Sequence, residues 1–364
     1  MNFIRNRNFR AGPQTSLEGF ICPQNSDKQQ KIKVFGRSGG HGSWSENLHG
    51  GLLVNRAFMQ LFEYFGEIGN CIFILITGYF CANKPDISYG GIKRVVGDVK
   101  FYAVTIWLIT LILGYIEFSP KALMVALFPI LYSAYWFIVP YLAVLLLSPW
   151  INNIIKTESK QKLIGYFVIL GSIEIIFPML KANTISSNIG LFCFVYSVGA
   201  WLRLNGKYAK EIERRSGLLF VVSLSLLFVF LLISDYIESI GIVNFSIAKK
   251  IDPRFSFVPL ICALGLFFFF YRLKFQSDFI NKIAQSAFSV YLISENPNVY
   301  SWFWKKTFDN CEFSGCTTFI LLALVQSFIV LVCCVIIDQI YKMIRDRIAI
   351  PVYRYCFKRI CQYE

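Results

Sequence analysis

Only two histidines occur in the 364 residues, and charged side chains make up just 16%. Soluble domains carry about 25% charged residues, so an ordinary cytosolic enzyme is excluded. Zinc chemistry has no foothold, because no CxxC pair and no Cys/His ligand spacing is present. The basic N-terminal residues are followed by no apolar core, so they do not read as a signal peptide. The two halves of the chain show no self-similarity of the kind many transporters have. No nucleic-acid-binding motif accompanies the 36 Lys+Arg against 22 Asp+Glu, a formal net charge of +14, so no nucleic-acid partner is expected.

What is abundant is apolar. Hydrophobic residues are 55% of the chain, with 36 Phe and 19 Tyr, and the mean hydropathy is +0.53. A membrane helix needs about 20 mostly apolar residues. Nine windows approach this: Ala57–Ala82, Val99–Phe118, Ser133–Pro149, Leu163–Leu180, Asn188–Leu204, Gly217–Ser234, Phe255–Leu273, Ile283–Trp304 and Thr317–Tyr341. The short stretch Leu123–Leu131, with Pro129, reads as interfacial. The expected fold is therefore all-α, a polytopic helix bundle of about nine transmembrane helices in contact with membrane lipid. Residues 1–50 read as a basic, Gly-rich, disordered segment, 51–341 as the membrane domain and 342–364 as a basic tail.

Loop charge gives the orientation. Lys84, Lys93, Arg94, Lys100, Lys156, Lys160, Lys162, Arg203, Lys207, Lys210, Arg214, Arg215, Arg272, Lys274 and Lys282 all fall on the side of the tail, which adds Lys342, Arg345, Arg347, Arg354, Lys358 and Arg359. The C-terminus is expected in the cytoplasm and the chain in the plasma membrane. Nine spans then place residues 1–50 outside, although Arg5, Arg7, Arg10, Lys28, Lys31, Lys33 and Arg37 resist translocation. A missing first span would remove the conflict.

Seven residues stand out chemically. His41 and His49 lie just before the first span, where a neutral imidazole can act as a general base toward a hydroxyl; two solvated loop histidines are the simpler reading, and the one the residues alone favour. Glu295 sits beside Pro297 in a span, and an intramembrane carboxylate costs enough to suggest function. Glu174 and Asp338 share that property, and a structural ion pair or hydrogen bond would explain each of the three. Lys93 and Arg94 lie in a basic loop after the first span, suited to donor phosphates or to simple anchoring. Most cysteines lie in apolar runs, as small hydrophobes do. Cys311 and Cys316 share a polar loop and could pair if it faces an oxidising compartment.

Several segments resemble the membrane-bound acyltransferase family 3. They are Gly69–Phe80, Tyr135-Trp-Phe-Ile-Val-Pro-Tyr-Leu, Leu147-Ser-Pro-Trp-Ile-Asn, Phe194-Val-Tyr-Ser-Val-Gly-Ala-Trp-Leu-Arg, Ile280-Asn-Lys-Ile-Ala-Gln-Ser-Ala-Phe-Ser-Val-Tyr-Leu-Ile and Ile336-Ile-Asp-Gln-Ile. The resemblance runs from about His41 to the C-terminus. It implies ten spans and O-acyl transfer to cell-surface carbohydrate, most simply acetyl from acetyl-CoA to a sugar hydroxyl of a polysaccharide or lipid-linked glycan. It also implies Lys93 and Arg94 as donor-phosphate contacts and a histidine as the base, a part open here to His41 or His49 unless Glu295 takes it. The family's first helix, with its Arg and His, has no counterpart before His41, and Ser294 stands where many members have His. A glycan transporter, or a family member without activity, is the alternative expectation.

Overall fold

In hydrocarbon every backbone N–H and C=O must find its partner within the protein, and a helix does this along its own length. The computed structural model describes residues 44–180, 187–242, 254, 256–273, 277–302, 318–344 and 347, and the helices account for nearly all of them. They are α1 (Trp44–Cys81), α2 (Tyr89–Ile112), α3 (Pro120–Leu127), α4 (Ile138–Thr157), α5 (Lys160–Met179), α6 (Asn188–Leu204), α7 (Gly206–Ser239), α8 (Phe257–Leu273), α9 (Asp278–Ser294), α10 (Pro297–Trp302) and α11 (Phe319–Ile344). Six of these are long and apolar enough to cross a membrane: α1 over Leu53–Cys81, α2, α4, α5, α7 and α11 over Phe319–Met343. Helices α6 and α8 are apolar but shorter, and α9 is amphipathic. The fold is an all-α polytopic bundle.

Each expected window contains a helix, with boundaries that move for physical reasons. The third window was expected to stop at Pro149, yet α4 continues to Thr157. Proline lacks the N–H that would reach the carbonyl of Leu145, and the Ser148 hydroxyl donates to that carbonyl instead at 2.8 Å. Helix α2 begins at Tyr89, so Lys93 and Arg94 lie on its first turns and not in a loop. The eighth window is two helices, because Pro297 forces α9 to end at Ser294 and α10 to begin anew. Helix α1 starts at Trp44, so Gly50 and Gly51 are helical and not loop. With 38 residues, α1 is about 57 Å long and outreaches a hydrocarbon core of about 30 Å.

Helix α1 is the centre of the bundle and packs against α6, α7 and α8, while α4 packs against α6, and α9 against α11 and α2. The main core joins these elements through Ile74, Leu75, Val144, Val195, Tyr196, Phe268 and Leu292. Two glycines set the α1–α6 distance. A Cβ on Gly78 would run into the Tyr196 carbonyl, and one on Gly199 into the Leu75 carbonyl. Such small-residue seams let backbones approach where lipid gives no hydrophobic drive.

Glu174 is accommodated by another local adjustment. A π turn at Ser172–Ile176 precedes Pro178 in α5 and carries the buried carboxylate, as insertions and prolines commonly produce. The carboxylate accepts from the Ser187 backbone N–H at 2.9 Å. It occupies the space a side chain at Gly190 would need, next to the positive end of α6. Glu174 thus takes the structural role.

Replacing Gly78 or Gly199 with Ala should push α1 from α6 and cost about 1–3 kcal/mol, read as a lower melting temperature of the detergent-solubilised protein. Gly69→Ala, on the same helix in open space, should gain up to about 1 kcal/mol.

Candidate functional site

Alternation of the helices brings the basic residues together. The side chain of Asn152, near the end of α4, donates to the carbonyls of Cys81 (2.8 Å) and Lys84 (3.3 Å) just past α1. Its Oδ1 accepts from the Tyr196 hydroxyl at 3.1 Å. Arg203, at the end of α6, lies over the Tyr79 ring at 5.2 Å, a cation–π contact. Tyr79 also meets Tyr271 at the end of α8, with ring centroids 5.8 Å apart. This end therefore gathers Lys84, Lys93, Arg94, Lys156, Lys160, Arg203, Lys207 and Arg272. Lys93 and Arg94 are exposed, and among the described residues neither is in an ion pair. Exposed cationic donors on consecutive residues can grip phosphate oxygens.

On the same side, a buried network ties α2, α9 and α11. The Tyr102 hydroxyl donates to Asp338 at 2.7 Å, and Lys342 pairs with the same carboxylate at 2.6 Å. Gln339 donates to the Ser286 hydroxyl at 2.9 Å, and Lys342 also donates to the Gln285 carbonyl at 3.0 Å. Asp338 is entirely shielded, so it acts as a clamp between three helices. Lys342, one turn along α11 from Asp338, is placed to pair with it.

A different kind of site forms toward the other end, where α4 begins and α9 stops. Tyr135 and Asn296 are both buried. The Tyr135 hydroxyl donates to the Leu292 carbonyl at 3.1 Å and accepts from Asn296 Nδ2 at 2.9 Å. The Tyr291 hydroxyl accepts from the Phe137 N–H at 3.3 Å. Glu295, the C-cap of α9, is half-buried and acts electrostatically on both tyrosines. Glu67 of α1, buried and accepting from Asn70 at 3.1 Å, acts on Tyr291 as well. Two carboxylates and two phenols thus share this part of the apolar bundle, groups of the kind that can hold and move a proton.

Of the candidates from sequence, Glu295 lies in this cluster. Lys93 and Arg94 lie at the opposite, basic end. His41 lies outside the described residues, as do Cys311 and Cys316. His49 is on α1 before its apolar stretch, and the helix rise puts it about 27 Å from Glu67 along the axis, so α1 does not bring it to Glu295. Among the described residues, no group of His, Cys, Asp and Glu is arranged to hold a metal. Glu67 was missed, although the rule that flagged Glu174 applies equally to a carboxylate within the first apolar window.

The acyltransferase domain family matches residues 35–339. The match takes in the basic end, the Asp338 clamp and the Glu67–Glu295 cluster. The chain belongs to membrane-bound acyltransferase family 3. Comparison with curated proteins and with solved structures gives no match. As an acyltransferase, the protein needs a donor site and an acceptor site, and its polar groups fall into two separated sets. Between them stands a block of rings: Phe73, Phe137, Tyr141, Phe192 and Phe288, with centroids 5.0–6.4 Å apart.

Asp338→Ala should strand the Tyr102 hydroxyl in the acyltransferase core and cost about 1–3 kcal/mol, visible as a lower melting temperature. Asp338→Asn keeps an acceptor oxygen and should recover part of the loss.

Proposed function

We propose that this acyltransferase moves acetyl from acetyl-CoA to a hydroxyl of a cell-surface polysaccharide or lipid-linked glycan. It works in the plasma membrane with the C-terminal tail in the cytoplasm. The observation that carries this reading is the separation of the two polar sets: unpaired cations at one end of the bundle, a buried carboxylate–phenol cluster toward the other. Positive-inside bias puts the basic end in the cytoplasm, where acetyl-CoA is available. Lys93 and Arg94 then meet the donor phosphates, and Arg203, held over Tyr79, adds a cation at the same end of the bundle.

The cluster lies at a depth suited to the donor's long pantetheine arm. From Cys81 back to Glu67 is about 21 Å of helix. Glu295 is the base in this scheme. It takes the proton of the acceptor hydroxyl, the alkoxide oxygen attacks the thioester carbonyl, and the C–S bond breaks as the ester C–O bond forms. The proton ends on the departing CoA thiolate, giving acetyl ester and CoASH. Backbone and Asn dipoles in a dry site favour the tetrahedral oxyanion. His41 and His49 are not needed for this step, in line with the distance of His49 from Glu67.

Membranes holding the protein, supplied with acetyl-labelled acetyl-CoA and surface glycan, should label the glycan. No label from a folded protein would overturn the reading. Glu295→Gln should cut transfer by about 10²–10⁴-fold with melting temperature unchanged. Replacing Lys93 and Arg94 together by Ala should raise the KM for acetyl-CoA about tenfold or more, since each charge-assisted hydrogen bond contributes about 1.5–3 kcal/mol. Pure topology anchors would change membrane yield and leave the KM alone.

A further inference from the structure

A cavity of about 270 Å³ opens between α2, α3, the turn before α4 and the start of α10. Its walls are small: Ala103 on α2, and Ala122 and Ala126 one turn apart on α3. Tyr135 and Asn296 form one part of the lining, and Lys121 stands exposed at the rim. This is away from the basic end, and among the described residues no carboxylate pairs with Lys121.

The hydrogen-bond inventory of the Tyr135–Asn296 pair is incomplete in a telling way. Tyr135 donates to Leu292 and accepts from Asn296, which leaves one lone pair on its oxygen. Asn296 gives one N–H to Tyr135, and its Oδ1 accepts from the Asn298 N–H at 3.0 Å, which leaves a second N–H. Asn296 is 1% exposed and Tyr135 2%, so these spare positions are shielded from bulk water. One donor and one acceptor side by side match a sugar hydroxyl, which offers one of each. The alanines make room for a flat, narrow ring where larger side chains would fill the space. An unpaired ammonium at the rim suits an anionic substituent on the same molecule.

We propose that this cavity is the acceptor subsite and that it selects a sugar carrying an anionic group, either a uronate carboxylate or a phosphate ester. The proposal rests on the acetyl-transfer reading above for its purpose, but binding at the cavity does not depend on turnover. Glu295, the base assigned above, directly precedes Asn296 in the chain and acts electrostatically on Tyr135. Selection and proton removal then fall on consecutive residues at the end of α9.

The test uses the full chain in lipid nanodiscs and measures binding by calorimetry. The probes are an oligogalacturonate, a sugar 1-phosphate, a neutral oligosaccharide of matched length, and inorganic phosphate. Wild type should bind one or both anionic sugars more tightly than the neutral one, with acetyl-CoA present or absent. Lys121→Gln, at an exposed position, should weaken that binding about fivefold or more and leave the neutral sugar and acetyl-CoA unaffected. Ala122→Leu should block all the sugars and spare acetyl-CoA binding. Preference for the uronate or for the phosphate ester identifies the source of the charge. Equal binding of charged and neutral sugars, no effect of Lys121→Gln, or inorganic phosphate binding as tightly as the sugars would each overturn the proposal. Selective sugar binding without glycan labelling would instead count against acetyl transfer and leave the subsite standing.

Discussion

Backbone contact between α1 and α6 at Gly78 and Gly199 fixes the distance on which the other helices are built. With those two helices in touch, Tyr196 reaches Asn152 on α4, and Asn152 in turn reaches the carbonyls just past α1. Arg203 is carried over Tyr79 by the same approach. Widening that seam by a methyl group would lengthen each of these contacts together. The basic end is thus held in shape by a steric fact at the α1–α6 seam.

Lipid imposes the second constraint: polar atoms need partners inside the protein. The molecule meets it locally where it can. Ser148 replaces the donor that Pro149 lacks, and the π turn of α5 brings Glu174 to the start of α6. Asp338 is met by a phenol and an ammonium, and Asp235 by the two bonds from Gln60 at 3.1 and 3.2 Å. Each of these carboxylates is matched by donors that come from a neighbouring helix or turn. Glu67 accepts from Asn70 on its own helix and, with Glu295, acts electrostatically on Tyr291.

The helices themselves were legible because hydropathy reports burial in lipid, and α6 begins and ends where the apolar run does. Boundaries failed where a side chain intervened: a serine at Pro149, and good helix formers at Lys93 and Arg94 that extend α2 beyond its apolar part. Glu295 could be picked out as a charge within an apolar run. Its neighbours could not, because Asn296 meets Tyr135 across 161 positions of sequence, and no periodicity encodes such a pair. Glu67 was readable by the same rule as Glu295 and went unread, two residues before the Gly69–Phe80 stretch that carries the family resemblance. Of the two histidines, His41 lies outside the described residues, and a continuous α1 keeps His49 far from Glu67.

The aromatic block between the two polar sets has a consequence for the chemistry. Phe73 touches Phe137, Tyr141 and Phe288, and Phe137 also meets Phe192 and Tyr291. Rings packed this way leave little room for water, and a thioester brought among them would meet few competing nucleophiles. Hydrolysis would waste the donor, so a transferase gains by excluding water from the path while admitting one hydroxyl at its end. Tyr135 and Tyr291 stand at that boundary, each with an apolar ring toward the block and an oxygen engaged in the polar cluster. The same two residues therefore close the dry region and begin the polar one, which lets a single end of α9 separate transfer from hydrolysis.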